Sequence, residues 1–314
     1  MAEWLYEAGI GEERAALVDD GGRIVAAAIA LPDRLRLGAV VTARLVEALP
    51  GGAGRLDIDG REALIARLPA GVTQGARLTV AITREAIPEA GRPKPPRAAA
   101  TDAPLGEGPN LRARLAESGL PVRPLPAHAP DALEAAGWSE LLEEATSGEI
   151  AFTGGALRMT PTPAMTLFDV DGPPPVEPLA IAAARAVAEA IRRHDIGGSI
   201  GIDFPTVANK AARQTIAETI DAHLLPSFER TAVNGFGFLQ IVRPRPRASV
   251  PELLRADPVG AAARATLRQL EREPPGSPRA HRLPAAVYDR ITATPDWLTE
   301  LARRTGRLPR LERA

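Results

Sequence analysis

At 314 residues and 45% hydrophobic content, the chain can bury the core of one large domain or of two to three modest ones. A formal net charge of -1 and a pI of about 6.5 give no overall field toward nucleic acid or membrane, so any basic surface is local. The absence of cysteine excludes disulfides, thiolate zinc sites and cysteine nucleophiles together, and the four scattered histidines (His128, His194, His223, His281) lack ligand spacing.

No apolar run approaches the ~18 residues of a membrane span. The opening "MAEWLYEAGIGEERAALVDD" has acids where a signal peptide needs a cationic and then an apolar region. Both point to a cytoplasmic protein with no membrane partner.

In chain order, residues 1–36 read as an amino-terminal hairpin packing on a core: "RAALV" and "RIVAAAIAL" flank "DDGG", a tight-turn signal. From 37 to 87 come "GAVVTARLVEAL", "GRLDIDG", "EALIARL" and "ARLTVAITREAI", cut by Gly and Pro. Four or five strands at this spacing predict a small barrel or sandwich. Residues 88–130 are dense in Pro, Gly and Ala and read as a linker with at most one short helix, around "NLRARLAES".

The segment 131–250 alternates strands and helices, an α/β arrangement. "DALEAAGWSELLEEAT" opens with Asp131 and Glu134 in capping-box spacing and predicts a helix. A hairpin, "EIAFTGGALRMT", turns on Gly154-Gly155, and "AMTLFDVDG" is an apolar strand ending in Asp169 and Asp171. "LAIAAARAVAEAIRRHD" has helical spacing and is closed by Gly197-Gly198. The strand "IGGSIGIDF" then ends in Asp203. A further helix covers "NKAARQTIAETIDAHLL", followed by a strand pair around Asn234-Gly235. Residues 251–314 read as a helical, Arg-rich tail whose Tyr288 and Trp297 are packing residues.

Asp169 and Asp203 close two apolar strands joined by a single helix. If the strands are parallel neighbours, both acids open on one edge. Two carboxylates held close repel unless a cation lies between them, and Mg²⁺ accepts one or two carboxylates while keeping its waters. The residues equally suit ordinary strand-ending turns, and "DVDG" is good turn chemistry in itself. "DVDG" lacks the remaining ligands of a calcium loop.

The stretches "GGALRMTPTPAMTLFDVDG", "AEAIRRHDIGGSIGIDF" and "VNGFGFLQIVRPRPRASV" resemble the ribonuclease E/G family across about residues 149–250, closer to its G branch. "ERAALVDDGGRIVAAAIA" and the segments from Leu37 to Ile87 resemble its amino-terminal hairpin and its OB-fold RNA-binding barrel. The resemblance implies an α/β, DNase I-like catalytic core preceded by an OB-fold-like barrel. It implies a Mg²⁺-dependent endoribonuclease that hydrolyses single-stranded RNA, with Asp169 and Asp203 holding the metal. Asp171 falls where the family has an Asn that orients the first aspartate, and joins the catalytic set.

The basic loops Arg92, Lys94, Arg97 and Arg243, Arg245, Arg247 are the phosphate contacts the resemblance suggests. Leu56 and Leu64 replace base-stacking aromatics of the family's barrel, which predicts weak RNA affinity. The family's 5′-end sensor region is reduced to residues 88–130. Its two-cysteine zinc link is absent, so any homo-oligomer forms without it. The alternative function is a catalytically inactive RNA-binding protein on the same scaffold.

Overall fold

Alternating apolar strands and glycine-rich turns give this chain most of its architecture. A computed structural model describes residues 2–89, 93–127, 129–274 and 280–314. In chain order the elements are β1 (Glu3–Ala8), β2 (Glu13–Val18), β3 (Ile24–Ala30), β4 (Val40–Ala48), β5 (Gly54–Ile58), β6 (Arg61–Ile65), β7 (Arg77–Arg84), β8 (Arg97–Ala100), α1 (Leu111–Ala116) and β9 (Val122–Pro124). They continue with α2 (Ala132–Ala135), α3 (Trp138–Ser147), β10 (Glu149–Phe152), β11 (Gly155–Pro161), β12 (Thr166–Asp171), α4 (Val176–Arg193), β13 (Gly198–Asp203), α5 (Lys210–His223), β14 (Glu229–Arg230) and β15 (Phe238–Arg243). The last are α6 (Val250–Ala256), α7 (Pro258–Glu271), β16 (Ala280–Leu283), α8 (Ala285–Thr292), α9 (Pro295–Thr305) and β17 (Arg310–Arg313).

The chain divides into two compact units, one of residues 1–32, 111–142 and 254–314, the other of 33–110 and 143–253. The second unit contains a closed barrel in the order β4-β5-β6-β8-β7, wrapped around Leu45, Leu56, Ile58, Ile65, Val80 and Ile82. Its first four strands lie within 37–87, as the sequence predicts. The fifth comes from the segment composition assigns to a linker. Arg97–Ala100 runs parallel to β6 and antiparallel to β7 and closes the barrel. Arg97 and three alanines after Pro96 carry no hydrophobic alternation, yet extended backbone and small side chains suit this slot.

The same unit holds a six-stranded sheet in the order β10-β11-β12-β13-β15-β14. β12 and β13 are parallel and joined by α4, and the remaining pairs are antiparallel. One face is dry. Phe168, Val170, Ile200, Ile202, Leu239 and Ile241 pack there with Val187, Ile191, Ile216 and Ile220 of α4 and α5. Each such side chain contributes roughly 1.5–3 kcal/mol by leaving water. The period of two then sends the intervening residues of β12 and β13 to the opposite, wet face. The helix of "LAIAAARAVAEAIRRHD" ends earlier than its glycines suggest: His194 caps α4 and Asp195 adopts φ 52°, while Gly198 opens β13.

His194 is fully buried in this unit. Its Nε2 lies 3.2 Å from a Glu144 carboxylate oxygen that also receives Arg193 at 2.8 Å, and Nδ1 is buried without a partner. The tautomer with Nε2–H donating fits this contact. Burial pushes its pKa down, and the opposing pull of Glu144 does not overcome it. Below the ordinary histidine pKa of about 6.5 the unfolded chain binds a proton that the fold refuses, so stability is lost as pH falls through that value. Unfolding free energy should therefore fall between pH 7.5 and 5.5 by denaturant titration, and His194→Gln should flatten that slope; an unchanged slope would count against this origin.

In the first unit, β3-β2-β1-β9 form a sheet, with the hairpin over "DDGG" joining β2 to β3. The tail adds α7 to α9 and an unanticipated parallel pair, β16 and β17. Ile10, Ala263, Leu267, Leu270, Val287, Ile291 and Leu301 form its core, with Tyr288 and Trp297 packed against them. Its arginines are largely spent on internal acids. Arg264 and Arg268 hold the buried Glu12, Arg272 holds Glu7, and Arg304 holds Glu271. Arg14 bonds Glu7 and Asp131 and stacks over Trp138 at 5.3 Å, while Asp131 caps α2 as its spacing predicts. Among the described residues no helix is long and apolar enough to cross a membrane.

Candidate active site

β12 and β13 run in parallel with Asp169 opposite Asp203. Register partners on neighbouring strands share a face and lie about 4.8 Å apart along the hydrogen-bonding direction. The alternation that buries Phe168, Val170 and Ile202 sends both acids to solvent, and both are exposed. Asp171 lies two residues further along the same face of β12 and is exposed as well. Among the described residues no three acids or histidines gather into a ready-made ligand cluster, so the arrangement is a pair of carboxylates.

The row extends across the sheet. Glu149 of β10 pairs with Arg158 of β11, Arg158 with Asp169, Asp169 with Asp203, and Asp203 with Phe238 of β15. Arg158 Nε donates to Glu149 at 3.0 Å. That bond, with the nearby charges of Asp171 and Asp169, pushes the guanidinium pKa up and keeps a fixed cation beside the acids. Next to this row the face is apolar: Met165, Leu167 and Phe238 close over Gly201, where an added Cβ would come within 2.9 Å of each. A small residue is required at that point in "IGGSIGIDF".

Nothing local in the sequence links Arg158 and Glu149 to the acids; the β11–β12 register places Arg158 opposite Asp169. The hairpin before it, β10–β11, turns on Thr153 and Gly154 rather than on Gly154-Gly155, and Gly155 already belongs to the strand.

The expected phosphate contacts are dispersed. Arg92 lies outside the described residues. Lys94 is paired with Glu89 at 2.5 Å. Arg243 donates to the Ile196 carbonyl at 2.6 Å, and burial pushes its pKa down. Arg245 is held between Glu89 and Glu252, and Arg247 lies 3.5 Å from Asp195. These three tie the end of β15 to its own unit. Arg97 is different: it is exposed on β8, beside Leu64 and Arg84. Burial, then the charges of Arg97 and Arg245, lower the Arg84 pKa, which marks a patch of mutually repelling cations.

Leu56 points into the barrel rather than out of it. It is 1% exposed inside the barrel, so it cannot stand where an outward, base-stacking ring would be. Leu64 is on the outer side of β6 and half-buried.

A stretch of this chain is similar to ribonuclease G. The ribonuclease G proteins of Salmonella typhimurium (strain SL1344), Escherichia coli (strain K12) and Shigella flexneri are each 28% identical to it over 131 residues. That match covers 38% of this chain and 27% of theirs, so the chain spans about a quarter of the length of these curated relatives. No family model matches.

Proposed function

We propose that the chain is a Mg²⁺-dependent endoribonuclease acting on single-stranded RNA, with Asp169 and Asp203 as the metal-holding pair. The observation that carries this reading is their register: two exposed carboxylates side by side on one sheet face, reached by adjacent parallel strands. The similarity to ribonuclease G supplies the reaction class.

The pair fits the metal. Hard carboxylate oxygens suit Mg²⁺, which takes one or two of them and fills the rest of its shell with water, and an open sheet face leaves room for that water. When bound, Mg²⁺ would lower the pKa of a coordinated water and offset phosphate charge. The chain's own residues do the rest. Asp169 and Asp203 repel a bare phosphodiester and accept it only with a cation between. Arg158, fixed by Glu149, offers a positive charge at the edge of the row where a non-bridging phosphate oxygen would lie. Asp171 would orient the first acid, the role that the resemblance to the ribonuclease E/G family implies for this position.

The barrel order, first-second-third-fifth-fourth with closure, supports an OB-like reading. Arg97, with Arg84 behind it, is the phosphate contact the geometry favours there, because an anion relieves the repulsion between those cations.

The test is cleavage of a 5′-monophosphorylated, end-labelled single-stranded RNA by the purified chain, with Mg²⁺ or EDTA, beside Asp169→Asn protein. Products that require both the metal and Asp169 are expected. Cleavage surviving in EDTA or in the variant would overturn the reading. RNA retained on filters in a salt-sensitive way, with no product in any lane, would favour an inactive RNA-binding scaffold.

A further inference from the structure

We propose that Phe236 is a nucleobase-stacking platform beside the acid pair, a subsite for the base next to the scissile phosphate; this rests on the ribonuclease reading above. Among six phenylalanines, two tyrosines and three tryptophans, Phe236 is the one exposed side chain, at 84%. The barrel segment, residues 33–110, contains no aromatic at all. Among the described residues there is therefore one open ring for stacking on single-stranded RNA, and it lies in the loop that leads into β15 rather than on the barrel.

The position is fixed, not floppy. Asn234 Oδ1 accepts from the backbone N–H groups of Phe236 at 2.9 Å and Phe238 at 3.0 Å, and Gly237 N–H donates to the Asn234 carbonyl at 3.2 Å. Thr206 Oγ1 donates to the Phe236 carbonyl at 3.3 Å. Phe204, the residue after Asp203, donates its N–H to the Gly237 carbonyl at 3.2 Å. Gly237 has φ +95°, and a Cβ there would meet the Phe204 carbonyl oxygen at 2.2 Å, so only glycine permits the close seam between this loop and the end of β13. The loop carrying the ring is thus bonded to the strand end that carries Asp203, and its strand pairs Phe238 with Asp203.

An exposed phenyl ring loses free energy to water unless something covers it. A single ring is too small to anchor a stable protein interface, which needs on the order of 1,000 Å², but it matches the face of one base. Stacking is indifferent to base identity, and the ring is neutral, so it holds a nucleotide without adding to the charge at the acid pair.

The test uses full-length Asp203→Asn protein, expected to bind RNA without cleaving it, and the same protein carrying Phe236→Ala, Phe236→Leu or Phe236→Tyr. Affinity is read by fluorescence anisotropy with a dye-labelled single-stranded RNA and with an abasic ribose-phosphate oligomer of equal length, in Mg²⁺. Phe236→Ala and Phe236→Leu should weaken RNA binding by about fivefold or more, the low end of base-aromatic stacking, and Phe236→Tyr should preserve it. On the abasic oligomer all four proteins should bind alike. Equal RNA affinity for Phe236→Ala and its parent, full retention by Phe236→Leu, or no RNA binding by the parent would each overturn the subsite. Loss of self-association in Phe236→Ala with RNA affinity unchanged would overturn it in favour of a contact between copies. Ring-dependent binding by a wild-type chain that never cleaves would leave the subsite and remove the hydrolytic reading, whereas cleavage indifferent to Phe236 would do the reverse.

Discussion

Asp203→Asn is expected to reduce Mg²⁺-dependent cleavage of single-stranded RNA by roughly 10²–10³-fold or more, the scale on which removal of one preorganised electrostatic partner acts. The substitution keeps the shape of the side chain and removes its charge. Because Asp203 is exposed at the end of β13, no buried partner is orphaned and the fold should persist, with stability changed by no more than about 0.5 kcal/mol. The decisive companion measurement is a melt with and without Mg²⁺. A site that binds metal only in the folded chain raises Tm by mass action, and that rise should disappear in Asp203→Asn. Asp171→Asn gives the contrast. Asp171 lies opposite Ala156 rather than opposite another acid, so its loss should cost less than tenfold and leave the Mg²⁺ effect on Tm in place. If Asp171→Asn and Asp203→Asn were equally inactive, the two-carboxylate account would fail.

The acid pair was legible because its logic is local: two apolar strands, one helix between them, an acid at the end of each. Parallel pairing follows from that connection, and with it a shared edge. The register that brings Asp169 directly opposite Asp203 depends on how β13 slides along β12, which only the packing of Phe168 and Ile202 under α4 decides. Arg158 was hidden for a related reason, since its relation to Asp169 runs through a second pairing. In "RPRPR" the arginines are visible but the acids that hold Arg245 are not: Glu89 and Glu252 are far apart in sequence from one another, and only the folded unit brings both to it. The fifth barrel strand was masked by its own composition, as alanine between prolines announces neither period. Phe236 carries a local signal, an aromatic between glycines beside a turn. Its significance comes from exposure and from the burial or half-burial of every other aromatic ring, and neither is written in that segment.

The first unit illustrates the same limit in its energetics and gives the largest expected stability effect. Glu12, in a glycine-flanked turn between β1 and β2, reads as a solvated acid, yet it is 6% exposed and accepts from Arg264 Nε at 2.8 Å and from Arg268. Both guanidiniums belong to α7, more than 250 residues away, and are themselves buried. Burial pushes the Arg268 pKa down against the pull of Glu12, as expected of a cation that tolerates its site only through its partner. Glu12→Gln should therefore cost about 3–5 kcal/mol in unfolding free energy, read as a lowered denaturant midpoint, because it leaves buried positive charge uncompensated. Asp257, 3.7 Å from Arg264, lies too far to replace the lost bonds. Replacing Glu12, Arg264 and Arg268 together by apolar residues of similar volume should recover most of that loss, since the desolvation of all three charges disappears with them. A single Glu12→Gln effect below about 1 kcal/mol would mean that water reaches this cluster and that the apolar contacts of Ile10, Ala263 and Leu267 alone hold the tail to the amino-terminal strands.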